Sequence, residues 1–281
     1  MTSPSLVWTS RGWSNDAAPW IPVSDLAAHH GFGFFETLRA YRGRIFRADE
    51  HFARMARSAR QFRVKLPLDA RGFREAAGEL LAKHGNPDAR VRLTVTAGPP
   101  PLAAIQVLPL APPPDASYRR GVSVWLAPWI RCTRAALAGH KTMNYFENYW
   151  ARTEGERRGH FEAIFLNERG EICEGTRANL FWAAGGRVFT PALSTGILAG
   201  VTRTALLEIL RTRRIPVEEG AWGPGALDGA EEAFLASTIV EVLPVVAVGK
   251  RRIGAGRPGK LAAMLRQEFR RKVEAELEGA R

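Results

Sequence analysis

The sequence predicts an α+β protein of two domains, and three observations carry that expectation. A chain of 281 residues that is 46% hydrophobic exceeds the common single-domain size and can bury two sizeable cores. In its first part, strand and helix patterns fall in segregated blocks rather than in strict alternation. Between the two parts stands Pro109-Leu110-Ala111-Pro112-Pro113-Pro114-Asp115, too rich in proline for a helix interior or a central strand. That stretch reads as a stiff connection closing a small domain over residues 1–114 and opening a larger one over 115–281.

The elements follow in order. Residues 6–23 mix tryptophans, prolines and small polar residues, which suits short strands and turns. A strand pattern ends at Tyr41, and Tyr41-Arg42-Gly43-Arg44-Ile45-Phe46 reads as a hairpin turn. Residues 49–62 open with an acidic first turn and set Phe52, Met55, Ala56, Ala59 and Phe62 at helical spacing. Residues 71–85 form a second amphipathic pattern, and 90–98 and 104–108 read as strands. Beyond the prolines, 121–127 is a strand, 128–138 is irregular, and 143–158 has helical periodicity with Phe146, Tyr149, Trp150 and Thr153 near one face. Two hairpins are expected, 161–174 about Glu168-Arg169-Gly170 and 178–190 about Gly185-Gly186, as a meander or part of a barrel. A helix over 201–211, strands at 231–235 and 244–248, and a charged terminal helix over 260–278 complete the chain.

A formal net charge of +12 raises the question of nucleic acid, because a cationic face gathers phosphates. The arginines, however, are scattered through helical patterns (Arg54, Arg57, Arg60, Arg63; Arg211, Arg213, Arg214; Arg270, Arg271) without interleaved aromatics or a binding motif. No nucleic-acid partner is expected, and the excess charge suits an anionic small molecule such as a dicarboxylate. Gly31 and Gly33 do not begin a dinucleotide fingerprint, since Glu36 stands where the third glycine is needed. Cys132 and Cys173 are the only cysteines, too few for a disulfide framework and without metal-ligand spacing, which suits a reducing cytoplasm and predicts no metal. Residues 1–10 lack the form of a signal peptide, and no apolar run is long enough to cross a bilayer, so no membrane partner is expected.

Three stretches carry chemistry. Lys141 lies between Gly139 and the helical pattern that follows; taken alone it reads as a solvated charge. Glu174 ends a strand just before Gly175. Gly200-Val201-Thr202 opens a helix whose first N–H groups and dipole favour an anion. An amine, an acid and a glycine-led helix start are what a pyridoxal phosphate site requires, and a lysine amine can condense with an aldehyde and move a proton at the neighbouring carbon.

The runs Gly139-His140-Lys141-Thr142-Met143-Asn144-Tyr145-Phe146-Glu147-Asn148, Glu171-Ile172-Cys173-Glu174-Gly175-Thr176-Arg177-Ala178-Asn179-Leu180-Phe181 and Gly196-Ile197-Leu198-Ala199-Gly200-Val201-Thr202-Arg203 together resemble the class IV (fold type IV) pyridoxal-phosphate enzymes, which include branched-chain and D-amino-acid aminotransferases and aminodeoxychorismate lyase. The resemblance spans about Gly31 to Pro244. It implies a small N-terminal α/β domain and a larger C-terminal pseudo-barrel domain with the cofactor between them, in a homodimer. It further implies Lys141 as the Schiff-base lysine and α-proton base, Tyr145 on the phenolic oxygen, and Glu174 on the pyridine nitrogen. Gly200, Val201, Thr202, Thr238 and Arg54 are implied on the phosphate, Arg54 through Glu50-His51-Phe52-Ala53-Arg54. Tyr145 is expected to reach the site by standing one helical turn beyond Lys141.

Within the family, Phe35-Glu36-Thr37-Leu38-Arg39 and Ala178-Asn179-Leu180-Phe181-Trp182 look like the lyases, whereas branched-chain aminotransferases carry glycine-glutamate-asparagine where Arg177-Ala178-Asn179 stands. Where the family has aromatic-glycine-aspartate-glycine, this chain has His30-Gly31-Phe32-Gly33. His30, Phe35, Arg39 and Arg92 are the candidate substrate contacts, with Arg131 a further carboxylate anchor. The expected substrate is aminodeoxychorismate, with an amino acid as the alternative.

Overall fold

In a computed structural model that describes residues 5–18 and 20–279, the chain divides into two compact units. The first comprises Met1–Ala111 and His140–Tyr145, the second Pro112–Gly139 and Phe146–Arg281. The division is thus not a single cut near residue 114, because the six residues around Lys141 hydrogen-bond into the first unit's sheet.

That unit holds β1 (Leu6–Thr9), β2 (Gly12–Asn15), α1 (Leu26–His30), β3 (Gly33–Tyr41), β4 (Arg44–Ile45), α2 (Ala48–Gln61), α3 (Ala70–His84), β5 (Ala89–Thr96) and β6 (Ala103–Pro109). The strands form one antiparallel sheet in the order β2-β1-β6-β5-β3-β4. Alternation on β3 and β5 turns Phe34, Leu38, Val91, Leu93 and Val95 to a core shared with Phe52, Met55, Phe73 and Leu80 of α2 and α3. Each such side chain contributes about 1.5–3 kcal/mol by burial. The expected helices and the 41–46 turn are all present, the turn with positive φ at Arg42 and Gly43. The short α1 was not foreseen, although its signals are local: Asp25 accepts from Ala27 N–H at the start, and Gly31 ends it in the left-handed conformation.

The second unit holds α4 (Asp115–Arg120), β7 (Val122–Arg131), α5 (Phe146–Arg157), β8 (Glu162–Asn167), β9 (Ile172–Gly175), β10 (Asn179–Ala184), β11 (Arg187–Pro191), α6 (Val201–Thr212), β12 (Val217–Gly220), β13 (Glu232–Ser237), β14 (Glu241–Val248), β15 (Arg251–Arg252) and α7 (Lys260–Gly279). Its sheet runs β12-β11-β10-β13-β14-β7-β8-β9, with β15 beside β14. The pairs β11–β12, β14–β7 and β7–β8 are parallel. Ile164, Leu180, Trp182, Leu235, Leu243 and Val245 form its core.

One expectation is narrowed and two are corrected. The two hairpins β8–β9 and β10–β11 are present and belong to one curled sheet, the barrel alternative rather than a simple meander, because β13, β14 and β7 pair between them in the strand order while β9 also lies against β10. β7 continues to Arg131 instead of ending at residue 127; its register shifts between Leu126 and Ile130, and Pro128 falls in that irregular stretch, where a missing ladder donor is tolerated. Helix α5 begins at Phe146, not at 143, and its buried residues are Asn148, Ala151 and Gly155. Phe146, Tyr149 and Trp150 are exposed on this chain.

Candidate active site

Lys141 owes its place to backbone pairing. Its carbonyl accepts from Phe35 N–H at 3.1 Å, Met143 N–H donates to Gly33 O at 2.9 Å, and Thr142 bridges Phe34, so the segment lies as an extra short strand beside the start of β3. The neighbouring glycines make room for it. A Cβ on Gly33 would stand 2.6 Å from both Met143 Sδ and Val95 O. Gly31 has φ +65, and its carbonyl accepts from Asn144 Nδ2 at 3.1 Å. The run Gly31-Phe32-Gly33 therefore seats the lysine segment.

Lys141 Nζ lies 4.4 Å from the Phe35 ring centroid and 5.4 Å from that of Tyr145, and the two rings meet edge to face at 5.1 Å. Tyr145 reaches the amine from a non-helical segment, with its N–H bonded to Met143 O at 2.8 Å. The proximity expected of the pair is present, but the helical turn invoked for it is not. Phe35, Thr37 and Arg39 share one face of β3, and the register sets Thr94, Arg92 and Arg90 opposite them on β5. Arg92 lies 4.1 Å over the Phe35 ring and donates to Thr94 Oγ1 at 3.2 Å; burial, with Arg90 beside it, lowers its pKa. Arg39 is buried, its guanidinium over the Tyr41 ring at 4.4 Å. His30 stands exposed at the end of α1, its ring 6.0 Å from that of His29.

Arg54 is buried in a cluster that sequence reasoning did not single out. Its Nε donates to Glu36 Oε1 at 2.8 Å and its NH2 to Glu36 Oε2 at 2.6 Å, while His51 Nδ1 lies 2.9 Å from Glu36 Oε2. Burial opposes the Glu36 charge, yet Arg54 and His51 outweigh it and hold the carboxyl at about 2. His51 is lowered, by burial first and by Arg54 and Lys141, against the pull of Glu36. The ring is therefore neutral at neutral pH and donates its Nδ1 proton to the carboxylate. One turn on, Ser58 Oγ approaches Arg54 O at 3.4 Å and His140 Nδ1 at 2.8 Å, which ties α2 to the residue before Lys141. A glutamate at position 36, where β3 turns to the apolar core, was the signal that could have found this cluster.

In the second unit, the buried Glu174 ends β9. Its Oε2 accepts from Asn179 Nδ2 at 3.0 Å and its Oε1 from Leu198 N–H at 3.1 Å, with Arg131 NH1 3.7 Å from Oε1. Asn179 Nδ2 also donates to Leu198 O at 3.1 Å, so one amide links the carboxylate to the residues that lead into α6. That helix starts at Gly200 with no side-chain cap, and Val201 and Thr202 are buried in its first turn; the opening N–H groups of a helix have no intrahelical partner. A Cβ on Gly200 would collide with Asn179 Oδ1. The structure thus brings Glu174 and Gly200–Thr202 together through Asn179. Thr238 lies half-buried in the turn between β13 and β14, two residues beyond Ala236, the strand partner of Asn179. Arg131 stands beside Glu174 and lies 4.3 Å over the Phe165 ring. Asn179 was legible only as a polar residue opening an otherwise apolar strand.

Among the described residues, no group of His, Cys, Asp and Glu could hold a metal, and no helix is long and apolar enough to cross a membrane. Cys132 and Cys173 are both unpaired.

Comparison with known proteins gives a consistent result. The family model described as Amino-transferase class IV matches residues 33–248. A D-alanine aminotransferase of Bacillus licheniformis is 28% identical over 91% of this chain and 93% of its own. The aminodeoxychorismate lyase of Bacillus subtilis is 28% identical over 87% of each. Among solved structures, a branched-chain amino acid aminotransferase from T.th. with pyridoxamine 5'-phosphate superposes with a TM-score of 0.91 at 26% identity, covering 97% of this chain and 95% of that one.

Proposed function

The chain belongs to the class IV aminotransferase family, and on that premise we propose that it is a pyridoxal-5'-phosphate-dependent enzyme acting on an amino-bearing dicarboxylate, as an aminodeoxychorismate lyase that yields 4-aminobenzoate and pyruvate. The observation that carries the substrate class is the arginine face of β3 and β5. Arg39, Arg90 and Arg92 share it with Phe35, whose ring lies 4.4 Å from Lys141 Nζ. A guanidinium matches a carboxylate in a planar, bidentate way, and a substrate with two carboxylates suits a face with three such groups better than an aliphatic side chain does.

The residues fit the cofactor on this chain's own geometry. The uncapped start of α6 offers N–H groups to a phosphate, and Gly200 keeps that approach clear of a side chain. In this reading Arg54, Gly200, Val201, Thr202 and Thr238 hold the phosphate, Glu174 the pyridine nitrogen, Tyr145 the phenolic oxygen and Lys141 the aldehyde carbon. When bound, the cofactor supplies an electron sink for the bond broken beside the substrate's amine. Lys141 takes the proton from the amine-bearing carbon. The C–O bond on the adjacent carbon then breaks, and the departing enolpyruvate regains a proton at its methylene to leave as pyruvate. Arg39 and Arg92 hold the carboxylates, with His30 and Phe35 at the substrate as well.

The alternative is an amino-acid transaminase using the same Lys141 and Glu174. It is favoured by the relative named D-alanine aminotransferase, which is as similar to this chain as the relative named as a lyase. Incubating the cofactor-loaded protein with aminodeoxychorismate, and separately with L- and D-amino acids, tests both. Pyruvate and 4-aminobenzoate formed without any keto acid support the lyase; bleaching of the cofactor by an amino acid, reversed by a keto acid, supports the transaminase. Absence of both reactions refutes the two together. A cytoplasmic homodimer belongs to the same proposal, supported by the two unpaired cysteines and by Phe146, Tyr149 and Trp150, an apolar surface that a second copy would cover.

A further inference from the structure

We propose that Glu36 is a positioning residue for the cofactor's phosphate: it fixes the plane of the Arg54 guanidinium, is itself fixed by His51, and acts on the anion only through Arg54. The inference rests on the reading of Arg54 given above and extends it to two residues to which no role has been assigned. Glu36 sits on β3 between Phe34 and Leu38, on the side that faces α2 and α3, and is 0% exposed. An apolar residue in that position would satisfy the strand's pattern, and well-packed apolar residues commonly replace a buried ion pair without loss of stability. Stability alone therefore gives no reason for three ionisable groups to be buried here.

The geometry supplies one. Nε and NH2 of Arg54 are both taken by the two oxygens of one carboxylate, at 2.8 and 2.6 Å. That two-point pairing leaves the guanidinium a single orientation. His51, three residues earlier on α2, fixes the same carboxylate at 2.9 Å, so its position is set from two sides. An arginine that is already immobile loses little rotamer freedom when an anion arrives, whereas a mobile one loses most of its four torsions. The pair carries no net charge and the imidazole is neutral, so the cluster orients a cation without opposing the anion's approach.

The test compares two aldehydes that differ only by the phosphate. Apoprotein is titrated with pyridoxal 5'-phosphate and with pyridoxal, and the ratio of the two dissociation constants isolates what the phosphate contributes. The wild-type chain is expected to prefer the phosphorylated form. Glu36→Gln is expected to lower the ratio about tenfold, the scale of one bond to a charged group, with the pyridoxal constant unchanged. Arg54→Met lowers it at least as far, and Glu36→Gln added to Arg54→Met lowers it no further, because Glu36 has no route to the phosphate except Arg54. His51→Leu, which keeps the Glu36–Arg54 pair, lowers it about threefold and carries the test should Glu36→Gln not fold. A wild-type ratio in folded Glu36→Gln or His51→Leu overturns the proposal, as does a double variant that falls below Arg54→Met. A wild-type chain that binds neither aldehyde overturns the functional reading as a whole, whereas strong binding with a ratio indifferent to Glu36 overturns this inference alone.

Discussion

Replacing Glu36 with glutamine removes the charge against which Arg54 is buried, and the structure sets the size of the effect. The carboxyl is held at about 2 rather than at 4.5, a difference that corresponds to about 3 kcal/mol favouring the folded first unit. The same figure follows from the other partner, since stranding one member of a buried ion pair costs roughly 3–5 kcal/mol. Because the folded value is the lower one, the stabilisation is complete above pH 4.5 and disappears as pH falls from there towards 2. About 2 kcal/mol of it is gone by pH 3. Native-state amide exchange at Leu38 and Leu93, both fully buried in that unit's core, reads its opening free energy independently of the second unit. At pH 6.5 the Glu36→Gln chain is expected to open more easily by about 3 kcal/mol, and at pH 3 by about 1. Glu36→Gln combined with Arg54→Met, which leaves no unpaired charge, recovers most of the loss. A deficit below about 1 kcal/mol at pH 6.5, or a double variant no more stable than the single one, refutes this account of the cluster.

Three further outcomes are expected. Lys141→Ala should abolish the borohydride-sensitive absorbance of bound cofactor while amide exchange at Leu38 changes by no more than about 1 kcal/mol, the scale of the amine's contacts with the Phe35 and Tyr145 rings; retained absorbance would exclude Lys141 as the tethering amine. Gly200→Ala forces Asn179 away from its bonds to Glu174 and Leu198, and a weakening of cofactor binding of about tenfold or more is expected by titration, from two hydrogen bonds; unchanged affinity refutes the close approach. Burial, with Glu174 beside it, pushes the Cys173 thiol up to about 12, whereas Cys132 is exposed. A thiolate-selective reagent at pH 8 should therefore modify one thiol per native chain, and rapid modification of two refutes the burial of Cys173.

The legible features of this chain were those whose signal is local. The apolar stripe of α2, the Arg42-Gly43 and Gly185-Gly186 turns, and the glycine that opens α6 follow from spacing and backbone freedom within a few residues, so the sequence alone located them. It also singled out Lys141, Glu174 and Thr202 as candidate cofactor contacts, through the runs that resemble the class IV enzymes. The tertiary structure decided what depends on distant partners. The segment around Lys141 has helical wording on its C-terminal side, yet it pairs as a strand with Gly33 and Phe35, more than a hundred residues earlier, because two glycines there let the backbones close. Nor could local periodicity show that β13, β14 and β7 would separate the two hairpins, since strand order is fixed by long-range pairing. Glu36 interrupts the apolar face of β3, and only the fold brings His51 and Arg54 from α2 to meet its charge: whether a buried charge is a fault or a feature depends on what the fold sets against it.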